Sequence, residues 1–294
     1  MDEKESKAGV SLFPIRELSM RTKVNTVTIR AWERRYGLLS PARTSKGHRL
    51  YSGDDVATVE RILAFVARGV PLGKVKALLD EGELIEIPDD SGDWFDATQR
   101  FVEAVRDFSS SRVEHLIDEF FLNYPPRVCR ERLIEPCLEL LAQFDTSKAA
   151  YLFAESELIR YAVLRLNSKE AKKGRSPLVL MSGENTPLWR LSIVAMELAD
   201  ANYSVQLMNR TFSVVAGAAM SAQLDEATTV FYQDGLWRET EVEVVAAALA
   251  ARNNILFCGT AGALANLNNG QQVFPDLDRC IAFLLNQTSV VSAD

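Results

Sequence analysis

Residues 26–51 read TVTIRAWERRYGLLSPARTSKGHRLY, and this stretch narrows the possible folds more than any other. Val27, Ile29 and Trp32 are spaced among Thr28, Arg30, Glu33, Arg34 and Arg35, which predicts an Arg-rich helix capped by Asn25 or Thr26. Gly37 ends it, because glycine enters the left-handed region without a Cβ penalty. Residues 38–51 then read as two short extended arms around Ser45-Lys46-Gly47, a small β-wing. Upstream, Ile15, Leu18 and Met20 can face a core while Arg16, Arg21 and Lys23 stay wet. A short helix, a turn at Val24-Asn25 and the Arg-rich helix together make a helix-turn-helix candidate.

A helix over 52–67 follows, with Ser52, Asp54 and Asp55 as cap candidates and Val56, Val59, Ile62, Leu63 and Val66 at helical spacing. Another is expected over 72–79. Charge divides along the chain in the same place. Residues 1–80 carry 15 Lys and Arg against 9 Asp and Glu, net +6, while the remainder carries 18 against 31, net −13, of a total of −7 over 294 residues. A basic module joined to an acidic body implies an anionic partner for one end only, and double-stranded DNA is the partner that a helix-turn-helix with a basic wing fits.

Thr28, Arg30, Arg34 and Arg35 are therefore candidates for phosphate or base-edge contact, arginine being suited to bidentate pairing with guanine. The plainer alternative is a solvated basic helix face. Trp32 and Tyr36 can each pack in the small core; core is the favoured reading for Trp32 and phosphate contact for Tyr36. On the wing, Arg43, Lys46, His48, Arg49 and Tyr51 complete the candidate DNA-binding set, His48 being promoted from an ordinary loop residue by its place between Gly47 and Arg49.

The run TIRAWERRYGLL followed by Pro41-x-Arg43-x-x-x-Gly47-His48-Arg49-x-Tyr51 resembles the winged helix-turn-helix of MerR-family transcriptional regulators, over about residues 12–79. AWERRYGLLSPART-x-x-GHRLY is similar to the branch holding MlrA-like activators and CarH/LitR-like cobalamin photoreceptors. The resemblance implies wing contacts to the sugar-phosphate backbone at Arg43, His48, Arg49 and Tyr51, strongest for Arg49 and Tyr51. It also implies regulation by deforming promoter DNA with an unusually long spacer.

Residues 80–93, DEGELIEIPDDSGD, read as an acidic linker that stays off DNA. Amphipathic helices then recur from Trp94 to residue 168, broken at Pro125-Pro126, as in a four-helix bundle. A basic exposed connection, KEAKKGRSP, leads to short apolar runs over 178–182, 204–208, 228–232 and 255–258. These alternate with helical stretches over 188–200, 214–223, 242–252, 261–266 and 277–285. Continuous apolar strands between helices predict a doubly wound parallel sheet, flavodoxin-like, over 177–288. The expected fold is thus mainly α with α/β: a mobile residue 1–11 segment, the winged domain over 12–79, the linker, the bundle over 94–168 and the sheet domain.

The resemblance makes this last unit a cobalamin-binding type of domain, but a degenerate one. The branch carries a Gly-Glu-x-His turn whose His ligates cobalt. Here the turn reads Gly183-Glu184-Asn185-Thr186, with Thr186 at the ligand position. The bundle Trp and the Glu-His that follow it in the branch have Phe144 and Glu155-Ser156 as their nearest counterparts. No cofactor is expected. Ser182-Gly183, Asn209 and Gly259-Thr260-Ala261-Gly262 sit where strands end, at the carboxyl edge where such sheets take ligands, although simple turn chemistry also explains them.

Cys129, Cys137, Cys258 and Cys280 form no Cys-x-x-Cys pair, and His48 and His115 are the only histidines, so neither a metal site nor a disulfide framework is indicated. No nucleophile and base stand in a recognisable pattern, and an enzyme is not expected. The polar start MDEKESKAGV and the lack of a long apolar run lead to the expectation of a cytoplasmic chain without a membrane segment. The reading is a sequence-specific, dimeric or higher-order DNA-binding regulator whose C-terminal half serves oligomerisation, a protein partner or signal input. The alternative is a sensor whose α/β domain binds an unidentified small molecule; a sheet edge filled by bulky side chains such as Trp189 and Phe212 favours the former, an open apolar pocket the latter.

Overall fold

The computed structural model describes residues 11–81, 91–144, 148–167, 175–184, 186–267 and 270–290. They form two compact units, Met1–Lys148 and Ala149–Asp294. The expected mobile N-terminus up to residue 10, most of the acidic linker (82–90), most of the basic connection (168–174) and Asn185 lie outside the described residues.

The first unit opens with β1 (Phe13–Pro14), α1 (Ile15–Thr22) and α2 (Thr26–Ala31), which continues as a single π turn over Trp32–Tyr36. Asn25 caps α2, its side chain accepting from Val27 N at 2.9 Å. Gly37 ends the π turn at φ 62°, and a Cβ there would stand 3.3 Å from Lys76 Nζ. β2 (Ala42–Arg43) and β3 (Arg49–Tyr51) form the wing, paired antiparallel with Ala42 opposite Leu50 and Arg43 opposite Arg49. β1 adds to the other edge of β3, giving the order β1-β3-β2. α3 (Gly53–Ala67) starts from a capping box in which Ser52 N donates to Asp55 Oδ2 at 2.8 Å and Asp55 N to Ser52 Oγ at 3.4 Å. Leu18, Ile29, Trp32, Tyr51, Val59 and Ile62 are completely buried in this module.

α4 (Leu72–Glu81), α5 (Ser91–Arg106), α6 (Ser110–Asn123), α7 (Pro126–Cys129) and α8 (Glu135–Phe144) complete the unit, α7 running into α8 through a π turn over Arg130–Ile134. The described ends of the expected linker are thus helical, in α4 and α5. The segment from α5 to α8 is joined to the winged module, α4 included, by polar contacts as well as by packing. Trp94 Nε1 donates to the Gly69 carbonyl at 3.0 Å, Leu72 N to Tyr124 Oη at 3.3 Å, and Arg132 to the Ala67 carbonyl. Trp94, Phe120 and Tyr124 form a ring cluster beside them, with centroids 4.8–6.1 Å apart. His115 is exposed on α6, as expected of a polar surface residue.

The second unit begins with α9 (Ala149–Asn167), the helix expected to be the fourth of the bundle. It packs instead along α10 (Leu188–Asp200). Trp189 Nε1 donates to Tyr151 Oη at 3.0 Å, Trp189 N to Glu155 Oε1 at 3.4 Å, and Arg165 pairs with Asp200 at 3.0 Å near the other end. Polar partners at both ends of α10 are the reason that α9 belongs with the sheet, and only α5–α8 remain with the winged module.

The sheet contains β4 (Ser176–Gly183), β5 (Tyr203–Phe212), β6 (Thr228–Tyr232), β7 (Ile255–Cys258) and β8 (Val273–Phe274), all parallel in the order β5-β4-β6-β7-β8. Counted within the sheet this is 2-1-3-4-5, the flavodoxin-like order. Strand alternation sorts the core into two layers. Leu178, Leu180, Val230 and Leu256 pack with Leu191 and Val194 of α10 and Ile281 and Leu284 of α14 (Leu277–Val290). Val179, Met181, Phe231 and Phe257 face the other way, with Val214 of α11 (Val214–Ser221) and Val245 and Leu249 of α12 (Glu239–Ala251). α13 (Thr260–Leu264) lies between β7 and β8. Among the described residues no helix is long and apolar enough to cross a membrane, and no group of His, Cys, Asp and Glu can hold a metal ion. The cysteines are all buried thiols.

Candidate nucleic-acid interface

On α2 and its π turn, Arg30, Arg34 and Arg35 are exposed. Val27, three residues before Arg30, shares that outer face and is 49% exposed. Thr28 turns the opposite way. At 2% exposure it is buried beside Ile29 and Trp32, so its expected contact with DNA is corrected: the helix presents Val27, Arg30 and Arg34, not Thr28. Met20 of α1 is likewise exposed rather than inward.

The π turn widens the helix after Trp32 and brings Arg35 toward α6. Arg35 Nη1 donates to Asn123 Oδ1 at 3.3 Å, Trp32 Nε1 donates to the Asn123 carbonyl at 2.8 Å, and Asn123 Nδ2 donates to the Glu119 carbonyl at 2.6 Å. Trp32 is core, as its reading favoured. Tyr36 is half-buried, and burial raises its phenol above the ordinary value while the neighbouring Arg35 charge opposes the shift.

The wing tip is held by Thr44. Its amide donates to the His48 carbonyl at 2.9 Å, its carbonyl accepts from Gly47 N at 2.8 Å, and its hydroxyl accepts from His48 N at 3.0 Å. Gly47 at φ 82° makes the turn. Arg43, Lys46 and His48 are exposed on it. Tyr51 is not. Its ring is completely buried, its Oη has no hydrogen-bond partner among the described residues, and burial pushes the phenol up to about 12. The expected backbone contact from Tyr51 is therefore corrected to a core position: as the last residue of β3, opposite Phe13, it closes the wing onto the helices.

The residue that sequence reasoning passed over is Glu33. Its two oxygens take the two wing arginines, Oε2 accepting from Arg49 Nε at 2.5 Å and Oε1 from Arg43 Nη2 at 3.4 Å. Glu33 is the one acid among the arginines of residues 26–36, and that is the signal that could have marked it.

In the second unit the β4 and β6 ends at the carboxyl edge of the sheet are packed by their own side chains. Thr186, at the position where the resemblance implies a cobalt ligand, is 5% exposed; its hydroxyl accepts from Asp234 N at 3.4 Å and its carbonyl from Ser182 Oγ at 3.5 Å. Gln233 covers the end of β4, so that a Cβ at Gly183 would meet its side chain at 2.5 Å. Tyr232 Oη donates to Asp234 Oδ2 at 2.5 Å, and burial and that carboxylate raise the phenol strongly. Asp234 Oδ1 in turn accepts from Thr260 N at 3.0 Å. Trp189 is 4% exposed, and Phe212 packs into the layer with Val214. A hydroxyl already engaged and a filled strand end do not fit a corrinoid held through its metal.

Residues 13–82 match the MerR HTH family regulatory protein model. The HTH-type transcriptional regulator MlrA of Escherichia coli (strain K12) is 31% identical over 183 residues, 61% of this chain and 74% of that protein. MlrA of Salmonella typhimurium (strain LT2) is 29% identical over 191 residues, 64% of this chain and 77% of the relative. The HTH-type transcriptional repressor CarH of Myxococcus xanthus is 31% identical over 125 residues, 39% of this chain and 42% of its own length.

Proposed function

The chain belongs to the MerR HTH family of regulatory proteins, and from that premise we propose that it is a sequence-specific DNA-binding transcription regulator which reads duplex DNA through Arg30 and Arg34 of the recognition helix and Arg43, Lys46, His48 and Arg49 of the wing. One observation carries this. Glu33 joins the recognition helix to both strands of the wing, so two sets of exposed cations are held as a single surface. Tyr36 and Arg35 flank that surface at its α6 end.

The second unit serves assembly or contact with a protein partner, and it does so without cobalamin. The engaged Thr186 and the packing of Trp189 and Phe212 support this over a small-molecule sensor. Two copies would place their winged modules on inverted half-sites one helical turn, about 34–36 Å, or a multiple apart.

The test is selection of duplexes from a randomised pool by the full-length chain. Enrichment of an inverted repeat with a fixed centre-to-centre spacing is expected. A pool that stays random after repeated rounds would contradict sequence-specific binding.

A further inference from the structure

We propose that Glu33 is the positioning residue of the DNA interface: its carboxylate holds two wing arginines in place against the recognition helix and withholds part of their charge from non-specific DNA. The inference rests on the DNA-binding reading above and deepens it. Arg43 and Arg49 are direct cross-strand partners. Like charges so placed repel and tend to splay a short hairpin. Glu33 stands between them with one oxygen for each, and its side chain is only 12% exposed, against 53% for Arg43 and 26% for Arg49. The carboxylate hydrogen bond is also the largest influence on the Arg49 guanidinium, raising its already high pKa.

The geometry also settles which donors are left. Glu33 takes the Nε hydrogen of Arg49, so the terminal Nη groups, with four of the five guanidinium hydrogens, remain free of Glu33 and can meet a phosphate. Arg43 is fixed twice, at Nη2 by Glu33 and at Nη1 by the Gly47 carbonyl at 3.4 Å. An acid that lies inside a basic surface and holds its arginines from behind exchanges general attraction to polyanions for a defined spacing of contacts. Removing it frees cations and loosens their placement.

The experiment compares wild type, Glu33→Gln and Glu33→Asp by fluorescence anisotropy, from 50 to 200 mM salt. The probes are a duplex selected by the wild-type chain and a scrambled duplex of equal length, and folding of each variant is monitored by circular dichroism. Glu33→Gln is expected to bind the scrambled duplex at least as tightly as wild type, with a salt slope steeper by about 0.9 for each arginine released to a phosphate. On the selected duplex it loses at least about tenfold, or about 1.4 kcal/mol. Glu33→Asp keeps the charge but withdraws it by one methylene; it retains the wild-type slope and loses part of the selected-duplex affinity. Should Glu33→Gln fail to fold, an unchanged ratio of selected to scrambled affinity in Glu33→Asp overturns the proposal. A folded Glu33→Gln with wild-type slope and ratio overturns it as well. Failure of the wild type to bind either duplex sinks the DNA-binding reading itself, a distinct result.

Discussion

The indole N–H of Trp32, on the helix proposed to read DNA, donates at 2.8 Å to the main-chain carbonyl of Asn123 at the end of α6. Both residues are buried. Trp32→Phe keeps an aromatic ring but leaves that carbonyl without its donor, and such a loss costs about 1–3 kcal/mol, to which the void left by the smaller ring adds. Urea unfolding should show a destabilisation of at least that size. A midpoint equal to wild type would mean that the indole has no partner there.

Thr28 and Arg34 separate structure from recognition. Thr28→Ala empties a buried site, so it lowers stability by about 1 kcal/mol and leaves the salt dependence of DNA binding unchanged. Arg34→Ala leaves thermal stability near wild type and weakens binding. Melting curves and salt titrations on both variants give the comparison; the reverse pattern would place Thr28 at the DNA.

Tyr51 should respond to alkali. Its folded-state pKa, about 12, lies above the ordinary value of 10.0, so folding favours the neutral phenol. That contribution is complete below about pH 10 and is lost as pH rises toward 12. Because Oη is buried and has no hydrogen-bond partner among the described residues, Tyr51→Phe removes a desolvated hydroxyl at little cost in packing. Stability at neutral pH is expected to be equal or higher, with less decline between pH 10 and 12 than in wild type. A loss of DNA affinity in a folded Tyr51→Phe would restore the backbone-contact role.

Much of this was legible in the sequence because it depends on local chemistry. Gly37, the Ser52 capping box and the turn at Gly47 announce their elements, and the apolar runs over 228–232 and 255–258 coincide with β6 and β7. The face of α2 was harder. Val27 is apolar but lies at i−3 from Arg30 and i−7 from Arg34, so helical periodicity assigns it to their side and leaves Thr28 inside. Tyr51 was assigned to the DNA by the family resemblance, whereas strand alternation puts it on the same side as Arg49, whose guanidinium turns back to Glu33 of the helix. β8, only two residues long, has no period to detect. Neither the docking of α9 on α10 nor the Asn123 contacts can be read from spacing, because partners 34–91 residues apart meet only in the folded unit.

The assignment of α9 to the second unit has its own consequence. A fragment of residues 149–294 should unfold in one cooperative transition. A fragment starting at 175 lacks Tyr151, Glu155 and Arg165, exposes Trp189 and leaves Asp200, whose side chain is 3% exposed beside Arg165, without that ion pair. The shorter fragment should therefore melt well below the longer one, as differential scanning calorimetry would register; equal melting temperatures would return α9 to the bundle.

The most direct measurement is the affinity of the full-length chain for its selected duplex, wild type against the Arg30→Ala, Arg34→Ala double variant, with melting temperatures recorded alongside. Each arginine at a base edge is worth about 1–3 kcal/mol, so a loss of at least about thirtyfold is predicted, with folding intact and with binding that weakens steeply as salt rises. Wild-type affinity in a folded double variant, or binding indifferent to salt, would contradict the assignment of this helix to DNA.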